Sequence, residues 1–134
     1  MKRIRVCIGS NDGENIAATH MGDTDVFHIY DLFENGDSQL IERRSNTAKD
    51  MDHAKSDKMK EIIKIVKDVD VFVARQKSPN FVNIASKTRY QPVVVGSEAL
   101  ADVLSLLNTS FQEIYGCVSR RGNGELFDMI PELK

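Results

Sequence analysis

The chain has 134 residues, with 18 Lys+Arg against 20 Asp+Glu, a formal net charge of −2 and 41% hydrophobic residues. This is the make-up of one globular domain that folds on its own apolar core without staples. The near-neutral charge gives no electrostatic reason to expect nucleic acid as a partner. No stretch approaches the roughly 18 consecutive apolar residues of a membrane helix, and Met1-Lys2-Arg3-Ile4-Arg5-Val6-Cys7 lacks the apolar run of a signal peptide, so a cytoplasmic protein with no membrane partner is expected.

Ile4-Arg5-Val6-Cys7-Ile8 predicts a first strand over residues 3 to 9, ended by Gly9-Ser10-Asn11-Asp12-Gly13, where the chain must turn. Val26 to Phe33 is rich in β-branched and aromatic residues, and Asn35-Gly36 is a hairpin signal that leads into a polar edge strand over Gln39 to Arg44. Between Asp50 and Asp68 the apolar residues Met59, Ile62, Ile63 and Val66 recur at helical spacing, with lysines including Lys58 on the remaining, solvated surface. Asp70 to Ala74 and Pro92 to Gly96 read as parallel strands buried on both faces. Ser78-Pro79 starts a helix to about Lys87, and Ser97-Glu98 is expected to cap a helix through Leu100, Val103, Leu104 and Leu107.

Three crossovers and one hairpin predict an α/β fold, a three-layer α/β/α sandwich with a mixed, mostly parallel five-stranded sheet. Beyond Thr109 the periodicity weakens, and residues 111–134 read as an extension packed on the domain or partly mobile.

In an open α/β sheet the ligand site lies beyond the carboxyl ends of the parallel strands. Three loops should converge there, namely Gly9 to Gly22, Arg75 to Ser78 and Gly96-Ser97. The first carries Ser10, Asn11, Asp12, His20 and Met21; it presents polar groups and a thioether to a ligand, or is simply a solvated turn. His53, at the mouth of the lysine-rich helix, is a second metal-ligand candidate, whereas His28 lies mid-strand and reads as structural or surface. No His-x-x-His or Cys-x-x-Cys pair supports a closed zinc site, and no glycine-rich phosphate loop or Gly-x-Ser-x-Gly motif is present. Cys7 should be a small buried hydrophobe, and the pairs Arg43-Arg44 and Arg120-Arg121 read as solvated faces.

Ser10-Asn11-Asp12-Gly13, then His20-Met21-Gly22 leading into Val26-Phe27-His28-Ile29-Tyr30-Asp31 and a hairpin, resembles the dinitrogenase iron–molybdenum cofactor biosynthesis family, with its Ser-x-Asp-Gly and His-Phe-Gly motifs. The resemblance covers roughly residues 3 to 107 and implies a ribonuclease H-like fold for a domain over residues 1–110, with 111–134 as a C-terminal extension. It also implies a small domain that carries or inserts an iron–sulfur or iron–molybdenum cluster. In this sequence Met21 stands where the family usually has Phe, and the family's glycine-rich loop after the fourth strand is Arg75-Gln76-Lys77-Ser78-Pro79.

The first expectation is therefore a non-catalytic carrier or assembly factor. Ser10, Asn11, Asp12, His20, Met21, Gly22, Arg75 and Lys77 would contact the cofactor, and His20 and His53 would serve as metal ligands. Met21 or Cys117 would supply a soft sulfur, and Arg75 and Lys77 would neutralise cluster charge. The partner would be a metal cluster or cluster-assembly protein, the chain a monomer or weak homodimer. The alternative is a protein–protein interaction or regulatory module on the same scaffold that has lost the cargo, as the substituted loop at Arg75 to Pro79 suggests. A two-metal nuclease is disfavoured, because the first strand offers Arg5, Val6, Cys7 and Ile8 where carboxylates would be needed.

Overall fold

A computed structural model describes residues 1–51 and 56–134. The elements in chain order are β1 (Arg3–Ser10), β2 (Val26–Phe33), β3 (Ser38–Ser45), α1 (Ser56–Ile65), β4 (Val71–Ala74), α2 (Pro79–Lys87), β5 (Gln91–Val95), α3 (Leu100–Thr109), α4 (Phe111–Gly122) and β6 (Glu132–Leu133). A short 3-10 turn at Met21–Asp23 lies between β1 and β2. The sheet order is β3-β2-β1-β4-β5-β6, with β2 antiparallel to β1 and β3, and β1, β4, β5 and β6 mutually parallel. The sheet thus has six strands, not five. The sixth adds through Val94↔Glu132 and Val95↔Leu133, and a two-residue strand is too short to leave any periodicity in the sequence.

Alternation along the strands sorts side chains to the two faces of the sheet. Cys7, Phe27, Ile29 and Phe72 pack on one face with Ile62 of α1 and Phe81 and Ile84 of α2. Val6, Ile8, Val71, Val73 and Val93 pack on the other with Leu100, Val103 and Leu107 of α3 and Phe111 and Ile114 of α4. Helices cover both faces, which is the three-layer sandwich.

The local signals act largely as the sequence predicts. At the β2–β3 turn Gly36 adopts φ 95°, a conformation that favours glycine, and its N–H donates to the Phe33 carbonyl at 3.0 Å. In β3, Glu42 faces Ile29 and Leu40 faces Tyr30, so Ile41 is an extra residue that kinks this exposed edge strand and makes it a poor template for pairing. The α2 start is as read: Ser78 Oγ accepts the Phe81 N–H at 3.2 Å, and Pro79 occupies the first turn.

Three other readings change. The N-cap of α3 is Ala99, without a side-chain cap, because Glu98 turns away to pair with Arg75 and its carbonyl accepts the Ile16 N–H. Residues 111–122 form a helix, α4, whose buried stripe is Phe111, Ile114, Cys117 and Arg121. Neither arginine pair is simply a solvated face: Arg44 binds Asp68 and the Ile65 carbonyl, and Arg121 is buried.

Candidate functional site

The 3-10 turn that carries His20, Met21 and Gly22 is fixed by residues distant in sequence. Thr24 is fully buried, and its Oγ1 donates to the Met21 carbonyl at 3.0 Å. Asn46, just beyond β3, donates from Nδ2 to the carbonyls of Gly22 at 2.9 Å and Thr24 at 2.8 Å. Gly9 at the end of β1 makes room for Thr24, since a Cβ there would lie 2.6 Å from Thr24 Cγ2. From the far side Lys58 of α1 sends its ammonium into the turn, 2.6 Å from Asp23 Oδ1 and 3.3 Å from the Lys49 carbonyl. Lys58 is only 3% exposed, so it belongs to the site and not to the solvated face of its helix. Its stem covers apolar surface while its charge finds a carboxylate.

Beside this turn, between α1 and the first turn of α2, lies a cavity of about 40 Å³, room for roughly three water-sized groups. Met21, Met59, Ile62, Phe81 and Ile84 give it an apolar interior, while His20, the Lys58–Asp23 pair, Ser78 and Asn80 add polar groups. His20 itself is exposed and Met21 is buried. The lining residues thus include a histidine and two methionines, with the N-terminal end of α2 beside them, where a helix favours negative charge.

The first two loops named from the sequence meet each other, and both meet the chain just beyond Gly96-Ser97, at Glu98 and Leu100. Gln76 Nε2 donates to the Ala18 carbonyl at 3.2 Å, Arg75 Nη1 pairs with Glu98 at 3.3 Å, and the Leu100 N–H donates to the Glu14 carbonyl at 2.9 Å. Their candidate residues divide between two places. His20, Met21 and Gly22 line the cavity; Ser10, Asn11, Asp12, Arg75 and Lys77 do not.

Ser10 and Asp12 use their hydrogen-bonding capacity within their own turn. Ser10 Oγ donates to the Asn15 carbonyl at 2.6 Å and accepts the Gly13 N–H at 3.0 Å. Asp12 Oδ1 accepts the N–H groups of Asn15 at 2.8 Å and Glu14 at 2.9 Å. These bonds, that from Asn15 foremost, hold the Asp12 carboxyl down to about 2. Asn11 Oδ1 accepts the Asp25 N–H at 2.8 Å and so ties the loop to the start of β2. Arg75 is engaged with Glu98 while its Nε is buried without a partner. Lys77 is exposed, one residue before the Ser78 cap.

His53 lies outside the described residues. His28 is buried on β2 below the Ser10–Asn15 turn; burial, then the nearby Arg43 charge, push its pKa down, opposed by Asp12. Cys7 is buried in β1, and burial pushes its thiol far up, as suits an inert hydrophobe. Cys117 is buried in α4, the helix that packs on the sheet face opposite Met21, so Met21 alone of the two proposed sulfur donors lines the cavity.

Sequence reasoning missed Thr24, Asn46, Lys58 and Met59. Met59 falls on the apolar stripe of α1 and is indistinguishable in pattern from a core residue. Lys58 is adjacent to it, and no periodicity marks a lysine that turns inward to meet Asp23.

Among known families, the model for dinitrogenase iron-molybdenum cofactor proteins matches residues 2–110. The chain belongs to this family. Membership ties it to the biosynthesis or carrying of the iron–molybdenum cofactor or related clusters. The matched span includes the His20–Gly22 turn, α1 and α2, and with them every residue lining the cavity; α4 and β6 lie beyond it. A search of curated protein sequences finds no match. Among the described residues no helix is long and apolar enough to cross a membrane. Nor do the described His, Cys, Asp and Glu residues form a group of three able to hold a metal ion.

Proposed function

We propose that this protein is a non-catalytic carrier that holds an iron–sulfur or iron–molybdenum cluster transiently at the His20–Met21–Gly22 turn and passes it to a cluster-assembly protein. The observation that carries the reading is the joint placement of an exposed imidazole and a buried thioether on a cavity at the start of α2, inside the span that defines the family. A cavity of about 40 Å³ does not admit a whole cluster. The cargo therefore rests on its mouth, with His20 donating a ring nitrogen and the α2 N-terminus and Lys77 facing its negative charge. Few protein ligands suit a protein that must release what it holds, whereas a closed four-ligand cage would retain it.

Anaerobic reconstitution with a synthetic [4Fe–4S] cluster and with isolated iron–molybdenum cofactor tests this. The wild type should gain stoichiometric visible absorption that His20→Ala loses at least tenfold. No uptake by either protein, or equal uptake by both, refutes it.

A second reading, an interaction module without cargo, is favoured by one observation. The loop cation Arg75 is already paired with Glu98, and Ser10 and Asp12 are committed to their own turn, leaving less polar capacity for an anionic guest than the family motifs imply. One stoichiometric protein partner from native extract, with no metal by elemental analysis, would establish that reading instead.

A further inference from the structure

The cavity is lined by a second methionine, Met59, that the cluster reading does not use. We propose that the cavity binds a single soft monovalent cation, Cu(I) in chemical class, through the thioether sulfurs of Met21 and Met59 and a ring nitrogen of His20. All three residues line the same cavity, Met21 from the 3-10 turn, Met59 from α1 and His20 from the lip. Thioethers are soft, uncharged ligands that select Cu(I), and imidazole completes such a set.

The ion pair between Lys58 and Asp23 shapes this site. Asp23 is two residues from Met21 in the same turn, and Lys58 immediately precedes Met59, so their 2.6 Å contact clamps together the two elements that carry the sulfurs. Among the described residues, the clamp also commits the one carboxylate of the lining to an ammonium. The other described lining residues carry no carboxylate, and the walls are formed by Ile62, Phe81 and Ile84. A doubly charged ion such as Zn²⁺ would bring two charges into an apolar site with no uncommitted anionic donor among the described residues, whereas a monovalent soft ion needs only polarisable ligands. The volume fits as well: about 40 Å³ accommodates one ion beside its donors and not a multinuclear cluster.

The test uses full-length protein labelled with ¹³C at the methionine methyls, titrated with Ag(I) as a redox-inert probe, and a Cu(I) competition assay against a chromogenic chelator without air. The chain has five methionines. One equivalent of Ag(I) should shift two methyl resonances, those that disappear in Met21→Leu and Met59→Leu. Cu(I) affinity should fall at least tenfold in Met59→Leu and in His20→Ala, and stay unchanged in Cys117→Ala, the control for thiol capture. The proposal is overturned if the Met21 and Met59 methyls do not move, or if affinity follows Cys117 and ignores Met59. Should a leucine variant fail to fold, the wild-type methyl titration, with the resonances assigned by through-bond experiments, decides alone. Met59→Leu leaves the proposed cluster ligand His20 intact, so cluster uptake with no Ag(I) response sinks this inference only, and Ag(I) binding with no cluster uptake sinks only the carrier reading.

Discussion

Arg121 lies outside the matched family span, in α4. It is 3% exposed and reaches from α4 to three other parts of the molecule. Its Nε donates to Gln91 Oε1 at 2.8 Å, Nη1 to the carbonyls of Ala85 at 2.6 Å and Thr88 at 2.9 Å, and Nη2 to the Phe127 carbonyl at 3.1 Å. No carboxylate is among these partners, and burial pulls the guanidinium pKa below its ordinary value. Arg121→Met keeps the approximate length and removes every donor. The bonds to Gln91 and Ala85 are buried, and a hydrogen bond from a charged donor contributes about 1.5–3 kcal/mol. The other two acceptors are only partly buried and can turn to water. Against this, removing a buried charge returns part of its desolvation cost. A net loss of about 3 kcal/mol is expected, which for a domain of this size lowers Tm by roughly 10 °C. Urea unfolding followed by circular dichroism measures it. Arg121→Lys should recover only part of the loss, because an ammonium cannot copy a planar fork that serves four acceptors. A loss under 1 kcal/mol in Arg121→Met, or wild-type stability in Arg121→Lys, would refute the account.

Two further outcomes concern the turn and its loop. Gly9→Ala should cost about 1–3 kcal/mol by overpacking, since its Cβ would meet the fully buried Thr24 at 2.6 Å. Gly22→Ala meets only the flexible tip of Ile62 at 3.0 Å and should cost less than about 1 kcal/mol; the reverse order of urea midpoints would contradict the packing described. For Asp12 the folded pKa, near 2, lies below the ordinary carboxylate value. The stabilisation of its turn is therefore complete above roughly pH 4 and is lost as pH falls toward 2. The amide resonances of Glu14 and Asn15 should titrate with a midpoint near 2, and a midpoint near 4 would show that the hydrogen bonds do not form.

Where one face of an element carries one kind of residue, the fold was legible in the sequence. β1, β4 and β5 are apolar runs bounded by turns, α2 has Ser78-Pro79 at its start, and the β2–β3 turn has Asn35-Gly36; all of these appear in the structure. The helix α4 was not legible, because its buried stripe passes from Phe111 and Ile114 to Cys117 and ends in Arg121, with Gly116 inside it. A glycine costs the helix about 1 kcal/mol, and an arginine in the core breaks the apolar period. The α3 cap departs from the sequence expectation for a related reason. Ser97-Glu98 has the chemistry of a cap, but the long-range pairing with Arg75 and Ile16 decides where Glu98 goes. Of the candidate site, the sequence exposed the part carried by a contiguous motif, His20-Met21-Gly22. It concealed Thr24, Asn46 and Lys58, whose roles exist only once β1, β3 and α1 are brought together.

Those concealed residues bear on the proposed carrier role, which asks one site to combine rigidity with release. The backbone of the turn is fixed by the Thr24 and Asn46 bonds and by the close fit of Thr24 against Gly9, so Met21 is held where it stands. His20 sits one residue outside this fixed unit, exposed, and serves as the N-cap of the 3-10 turn without a side-chain bond to it. In that role an imidazole with no side-chain bond to the turn would hold a guest at the surface and let it go, while Met21 behind it keeps its geometry. If both were rigid the cargo would be trapped, and if both were loose the entropy of ordering them would weaken binding. The division of labour predicts that Asn46→Ala, which frees the carbonyls of Gly22 and Thr24, lowers affinity for a guest at the turn by a larger factor than it changes the dissociation rate of a guest held by His20 alone. Paired equilibrium and stopped-flow measurements on Asn46→Ala and Met21→Leu separate the two, and equal effects on affinity and dissociation in Asn46→Ala would remove the role assigned to the turn.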